Sequence, residues 1–262
     1  MAFRLGPKRR RFGYVAKQRK ADQGVILYTT GARLDVGMVS LFRDPILQLG
    51  VRASEVMATF YAGLKEFQRP SLGDLQTQGG NSYADLKLTI KTFGGQGRID
   101  ITPGALVVGL PDMGRTAGNA VVAKGHLSWC EDTLKKALDY VEISERLMRA
   151  SMWVNCEGGA AAVEDFLGRK GNAALNLDKG EYASLKKEFT LQFSGLDASR
   201  GRKIGLVLQR SMGEGDLFGQ FDYTMVGSPI VEKTVNEQFD EAEKELRLLM
   251  LQVGLKSTKD HA

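Results

Sequence analysis

Cysteine, histidine and long apolar runs are all scarce in this chain of 262 residues, which contains two cysteines and two histidines. Two cysteines cannot build a disulfide framework, and a structural zinc site needs four Cys or His ligands, usually in closely spaced pairs. The longest apolar runs, such as 105–108 and 248–251, cover only a few residues, whereas a membrane-spanning helix needs about 20. We therefore expect no metal site and no membrane span.

The pattern of a secretory signal is also missing, because the charged N-terminus is not followed by an apolar segment. Cys130 and Cys156 both have apolar sequence neighbours, among which a reduced cysteine packs as a small hydrophobic residue. These features predict a cytoplasmic protein. Import into an organelle is the alternative, because an acid-free N-terminal segment is typical of transit peptides.

Catalytic motifs are absent or incomplete. The sequence contains neither G-x-S-x-G nor a G-x-G-x-x-G placed between a strand and a helix. Residues 109–116 match the phosphate-binding pattern G-x-x-x-x-G-K-[ST], except that Arg115 replaces the lysine. A planar guanidinium is not equivalent to the compact ammonium group at that position. We therefore interpret 109–116 as a loop, and we predict no catalytic residue and no cofactor.

His126 and Cys130 are four residues apart, so they would share one face of a helix. A thiol with a neighbouring base can act as a nucleophile, and both residue types can bind a metal. A buried Cys130 beside Trp129 explains the same residues without any chemistry. We favour this structural interpretation.

Positive charge is concentrated at the amino end of the chain. The net charge of +5 comes from 36 bases and 31 acids, and the first 20 residues contain eight of the bases and no acid. This leaves 28 bases against 31 acids, a net charge of −3, for residues 21–262. So many cations without counter-charges repel one another unless a polyanion neutralises them.

Nucleic acid is the polyanion that this segment fits best, because its phosphates are the most common such surface. Aromatic residues are interleaved with the bases and are suited to stacking on unpaired nucleobases. The predicted nucleic-acid-binding residues are Arg4, Lys8, Arg9, Arg10, Arg11, Phe12, Tyr14, Lys17, Arg19 and Lys20. Acidic lipid and an acidic neighbouring subunit are the other candidate partners, although no large apolar face accompanies the charge as lipid binding would require.

Apolar periodicity predicts an α+β fold. The clearest pattern is an antiparallel hairpin, in which alternating residues of 86–92 and 98–101 flank a glycine-rich turn. Further strands are predicted at 24–30, 33–38, 105–110, 148–156, 188–194, 203–210 and 217–225. Helices are predicted from Asp44–Pro45 to Pro70, around 129–141, at 159–167 and at 231–253.

The order of these elements is similar in the two halves of the chain. It predicts two α/β sandwich lobes with a split βαβ, ferredoxin-like arrangement. The predicted divisions are a basic arm at 1–22, an N-terminal lobe at 23–145 and a C-terminal lobe with a long terminal helix at 146–262. The alternative is one continuous antiparallel sheet with helices on one face.

These observations predict a non-enzymatic subunit of a larger assembly that contacts nucleic acid through its basic arm, with RNA favoured over DNA. Such contacts are not sequence-specific, because phosphates carry no base information. One alternative is an enzyme that acts on nucleic acid or nucleotides at a site between the lobes. The other is a coat or scaffold protein whose arm contacts neighbouring subunits.

Overall fold

The computed structural model describes residues 26–66, 68–69, 71–79, 82–175, 189–227 and 233–258. Within these residues, ten strands form one sheet. Their bounds are β1 Leu27–Phe42, β2 Leu75–Gln78, β3 Lys87–Thr92, β4 Gly97–Ile101, β5 Ala105–Leu110, β6 Ile143–Cys156, β7 Leu191–Asp197, β8 Arg202–Arg210, β9 Leu217–Val226 and β10 Leu255–Ser257.

The strand order is β2-β3-β4-β5-β1-β6-β9-β8-β7, and every neighbouring pair along it is antiparallel. β10 adds a short parallel pairing to the start of β1. The long central strands β1 and β6 pair along most of their length, from Thr29 with Cys156 to Phe42 with Ile143. The sheet therefore joins the two halves of the sequence through its middle.

Five α-helices are present in the described residues: α1 Ala53–Leu64, α2 Met113–Thr116, α3 Ala120–Ala137, α4 Gly159–Leu175 and α5 Val235–Val253. Buried strand residues alternate with more exposed ones, so that one face of the sheet packs with the helices in a single apolar core. We call this the covered face. The opposite face, which we call the open face, has no described helix on it.

Local sequence signals set the ends of the helices. Thr234 caps α5, where its hydroxyl accepts from the N–H of Glu237 and the Glu237 carboxylate accepts in return. Gly254 ends the same helix in the left-handed region, with φ of 94°. Gly63 allows α1 to approach α3, because a Cβ there would lie 2.8 Å from Nε1 of Trp129. The core under the sheet is held by these close helix contacts.

The α+β prediction is confirmed, and the predicted hairpin is present as β3 and β4. The two-lobe detail is not confirmed, since the sheet is continuous and the proposed boundary after residue 145 falls inside β6. The division into lobes stays a prediction. No helix in the described parts of the chain is both long and apolar enough to cross a membrane.

The first helix begins later than predicted. Asp44 and Pro45 precede a turn, in which the N–H of Ile46 donates to the carbonyl of Pro103 at 2.8 Å. This contact ties the chain to the β4–β5 turn, so a helix cannot start at Pro45. The helix starts instead at Ala53.

Candidate interaction surface

All ten predicted nucleic-acid-binding residues lie within residues 1–20, outside the described part of the structure. The first described residue is Ile26, and β1 begins at Leu27. The arm is therefore attached at the amino end of the central strand, where β10 pairs with it.

The acids of the folded body are extensively paired with its own bases. Fifteen of the 31 acidic residues form ion pairs with bases between Arg33 and Arg247: Asp35, Glu55, Asp100, Glu131, Asp139, Glu142, Glu164, Asp165, Asp197, Glu214, Asp222, Asp240, Glu241, Glu243 and Glu245. About half of the acids of the chain therefore already have a cation of the folded body as partner.

The open face is apolar in its middle. Val39 of β1 lies between Val107 of β5 and Leu147 of β6 in one row across the strands. Leu41 extends the patch along β1 and is 39% exposed, and Val107 is 37% exposed. An apolar sheet surface surrounded by polar residues is typical of a contact site.

Charged residues surround this apolar patch in pairs. The Asp100 carboxylate forms ion pairs with Nε of Arg98 at 2.9 Å and with Nζ of Lys87 at 3.1 Å. Arg149 binds Asp222 with two bonds of 2.7 and 2.9 Å. Burial alone would raise the pKa of Asp100, but hydrogen bonds from Thr89, Arg98 and Lys87 lower it below its usual value. These three cations are each matched by a carboxylate on the same face.

Two aromatic rings stand at one end of the open face. Trp153 of β6 lies between two neighbours in the same row, Arg33 of β1 and Phe218 of β9. The Arg33 guanidinium carbon is 4.8 Å from the Trp153 ring centre, and the Phe218 ring centre is 5.3 Å away. Because intramolecular neighbours already contact this ring on both sides, it is not a ready platform for a nucleobase.

A buried polar network lies behind the sheet, on the covered face. The Arg146 guanidinium donates to both carboxylate oxygens of Glu131, at 2.6 and 2.9 Å, and to the side chain of Gln238 at 3.2 Å. Lys135 also donates to Glu131, at 2.7 Å, and Ser40 does so at 3.1 Å. Burial alone would raise the pKa of Glu131, but the hydrogen bonds from Arg146 and Lys135 lower it. The network joins β1 and β6 to α3 and α5.

A cavity of about 530 Å³ opens beside this network. Four cations line it, and each forms an ion pair within the protein. Arg43 pairs with Glu142, and Lys233 pairs with Glu241. Lys135 and Arg146 both pair with Glu131. The nearby N-terminus of α5 is satisfied by its own capping box. None of these four cations is therefore free to bind an anion in the cavity.

His126 and Cys130 do share a helical face, with Nε2 and Sγ 3.7 Å apart, and both are buried. Burial lowers the pKa of His126 to about 4 and raises the pKa of Cys130 well above its usual value. The thiol therefore stays protonated at neutral pH and is a poor nucleophile. Among the residues that the structure covers, no cluster of three or more His, Cys, Asp or Glu side chains could hold a metal ion.

Residues 109–116 do not have the form of a phosphate loop. Gly109 and Leu110 belong to β5, and Met113–Thr116 form the single turn α2. The Thr116 hydroxyl donates to the carbonyl of Pro111, whereas in a phosphate loop it would bind the magnesium ion. The segment is a strand end and a helical turn rather than the predicted loop.

Sequence reasoning missed both the open face and the buried network. Arg146 precedes the predicted strand 148–156, and nothing local marks it as buried. The open face depends on β1 pairing with β5 and β6, whose paired residues are 64 to 127 positions away in sequence. The alternation of Arg98 and Asp100 with Ile99 and Ile101 was the one available signal, since it marks a face that turns away from the core.

Comparison with protein-family models finds no match for this chain, and comparison with curated proteins finds none either. Among solved structures, the Pct1 RNA triphosphatase of S. pombe aligns over 85% of this chain and 85% of its own, with 6% sequence identity and a TM-score of 0.11. A TM-score this low carries no argument about fold or function.

Proposed function

We propose that this protein is a non-enzymatic subunit of a larger assembly and that its basic N-terminal arm binds nucleic acid through the phosphates. The observation that carries the proposal is the charge of residues 1–20, which hold eight bases and no acid. The ion pairing within the folded body supports it, because fifteen body carboxylates already have cationic partners.

RNA fits the arm better than double-stranded DNA. Phe12 and Tyr14 follow the run Arg9-Arg10-Arg11 directly, and aromatic side chains stack well only on unpaired, accessible bases. The bases of the arm would supply affinity, and the aromatic residues a preference for single strands. Neither contact reads a particular sequence.

The arm gives the test of the proposal. Binding of a fluorescent single-stranded RNA is measured by anisotropy for the full chain and for a chain that lacks residues 1–20. If all eight bases contact phosphates, the logarithm of affinity falls with the logarithm of salt with a slope of about −5 to −6, so affinity drops about 1,000- to 4,000-fold between 50 and 200 mM salt. The shortened chain should bind far more weakly and with little salt dependence.

Matched variants separate charge from stacking. Changing Arg9, Arg10 and Arg11 together to lysine keeps the charge and should keep the affinity, whereas changing them to glutamine should lower both the affinity and the salt slope. Phe12→Ala with Tyr14→Ala should weaken single-stranded RNA about 10-fold or more while leaving duplex binding unchanged. Equal RNA affinity of the full and shortened chains would contradict the proposal.

A further inference from the structure

We propose that the open face is the contact surface of a symmetric dimer, formed when a second copy of this chain packs its own open face against it. The inference goes beyond the proposed function and does not depend on the arm. It rests on the shape and the charge of one row of residues that crosses the centre of the sheet.

One half of this row is a hollow. Gly37 of β1 pairs with Gly109 of β5, so two adjacent positions on the open face have no side chain. A Cβ added at Gly109 would meet no atom within 4 Å, and a Cβ at Gly37 would meet only the carbonyl of Val108. Within the part of the chain that the structure describes, no neighbouring side chain therefore fills the space above these two glycines.

The other half of the row is a projection. Gly37 pairs on its other side with Arg149 of β6, and Arg149 pairs with Asp222 of β9. The two side chains form a bidentate ion pair above the sheet, with the Arg149 side chain 46% exposed. Hollow and projection thus lie side by side, on opposite sides of the boundary between β1 and β6.

A two-fold axis that runs parallel to the strands, along the boundary between β1 and β6, matches these two shapes. It places Arg149 of the second copy over Gly37 and Asp222 of the second copy over Gly109, and it does the same in the reverse direction. An isologous interface needs this kind of self-complementary surface. The ion pair of each copy enters the glycine hollow of the other.

The next row of the open face agrees with the same axis. Its order across the strands is Asp100, Val107, Val39, Leu147, Thr224 and Lys203. The axis brings Val39 against Leu147 near the centre, and it brings Asp100 to the side on which the second copy carries Lys203. Within this row, apolar groups meet apolar groups in the middle, and opposite charges lie toward the rim.

The size of the surface also fits a dimer. Eight strands, from β3 to β7 in sheet order, overlap about this axis, and at about 4.8 Å per strand they span roughly 38 Å. About six residues per strand give a length of roughly 20 Å, and hence about 770 Å² on each copy. A standard stable interface covers about 800 Å² per partner.

The charge of the open face favours a protein over nucleic acid as the occupant. Arg98 and Lys87 are held by Asp100, and Arg149 is held by Asp222. A polyanion on this surface would lie beside these carboxylates, which is unfavourable. A second copy brings both signs of charge to matching positions.

The dimer would place both arms at one end. The axis runs along the strands, so the two copies of β1 begin side by side at the same edge, and each β1 follows its own arm in the sequence. Sixteen bases would then face one nucleic acid, and the second arm would bind at the raised effective concentration that linkage provides.

The first test is the mass in solution. Multi-angle light scattering of the full chain should give 57.4 kDa, twice the 28.7 kDa of one chain. Gly109→Phe places a ring in the hollow from a position where an added Cβ meets no described atom within 4 Å, and it should give a folded monomer of 28.7 kDa. Gly125→Phe on α3 is the matched control, since a Cβ there also meets nothing within 4 Å, and it should leave the dimer intact.

A cross-link gives the orientation of the two copies. The cross-link uses the double variant Val107→Cys with Lys203→Cys. Within one chain these two positions are four strands apart, a distance of about 19 Å. Across the two-fold axis, position 107 of one copy and position 203 of the other are about 11 Å apart. A bis-maleimide of that length should therefore join the double variant, and neither single variant, into a covalent dimer. Cys130 and Cys156 are buried and should not react.

Three results would overturn the inference. The first is a mass of 28.7 kDa for the full chain at all concentrations up to 100 µM. The second is a dimer that survives Gly109→Phe and does not cross-link. The third is a monomeric wild-type chain in which Gly109→Phe weakens RNA binding, because the open face would then hold nucleic acid. The masses and the cross-link do not involve RNA, so they would be unchanged if deletion of residues 1–20 had no effect on RNA binding.

Discussion

Strand β6 carries two arginines three residues apart, and they point to opposite faces of the sheet. Arg146 on the covered face is 2% exposed, and Arg149 on the open face is 46% exposed. Each forms a two-bond ion pair with one carboxylate, Arg146 with Glu131 and Arg149 with Asp222. The two-bond geometry of the pairs is nearly the same, whereas their burial differs greatly.

Burial changes the consequence of losing a partner. At the surface, water and salt screen an ion pair, and its contribution is at most about 1 kcal/mol. In the core, removing one partner leaves the other charge buried without compensation, at a cost of about 3–5 kcal/mol. The buried pair therefore fixes how β6 packs against α3, while the open pair is free to serve as a contact.

The largest expected effect comes from removing one charge from each pair. Glu131→Gln should lower the free energy of unfolding by about 3–5 kcal/mol, and the matched Asp222→Asn should lower it by less than about 1 kcal/mol. Urea unfolding followed by circular dichroism measures both. Both changes are made in the Gly109→Phe chain, so that unfolding is not coupled to dissociation. Similar losses for the two variants would break the comparison between the faces.

The sequence predicts the local elements on both faces better than it predicts how they pair. The β3–β4 hairpin follows from alternating residues and a glycine turn that lie next to each other in the chain. β2 and β10 were missed because strands of four and three residues, with polar sequences such as LQTQ, carry too short a pattern. β1 was predicted as two strands because Gly31 interrupts its apolar pattern.

The pairing of the central strands could not be read from the sequence. Val36 pairs with Ala150, and both belong to apolar patterns that would fit several partners. The burial of Arg146 could not be predicted either, since an arginine in an alternating strand is expected to face solvent unless its carboxylate partner is known. Glu131 lies on α3, and only the folded chain brings it to Arg146.

The next largest effect comes from His126, which is buried on the covered face. The described part of the open face contains no histidine. Burial lowers the pKa of His126 from 6.5 to about 4. Between these values the unfolded chain binds a proton that the folded chain does not, so folding stability is complete above about pH 6.5 and decreases as the pH falls toward 4. From pH 7.5 to pH 5 this group alone should remove about 2 kcal/mol.

His126→Gln tests this assignment, because glutamine does not titrate. The variant should lose about 2 kcal/mol less than the wild-type chain between pH 7.5 and pH 5, as measured by urea unfolding at each pH. Glu131 does not disturb the window, since its pKa is lowered from 4.5 and its contribution is lost only below that value. Parallel pH profiles for the two chains would mean that His126 is not the titrating group.

The smallest expected effect compares two threonines of β3 that face opposite ways. Oγ1 of Thr92 is buried on the covered face and has no hydrogen-bond partner among the described residues. Thr89 points to the open side and donates to Oδ1 of Asp100 at 2.7 Å. Valine has nearly the shape of threonine, so Thr→Val removes the hydroxyl at each position and little else.

The two substitutions should have opposite signs. Thr92→Val removes a hydroxyl whose burial is uncompensated, and it should raise the free energy of unfolding by about 1 kcal/mol. Thr89→Val removes a bond to a carboxylate and should lower it by about 1 kcal/mol or somewhat more, because Asp100 then loses one of the donors that hold its pKa down. Urea unfolding at pH 7 measures both changes. A loss of stability at Thr92 as large as that at Thr89 would show that the Thr92 hydroxyl has a partner in the folded protein, and that polar groups on the covered face are as fully bonded as those on the open face.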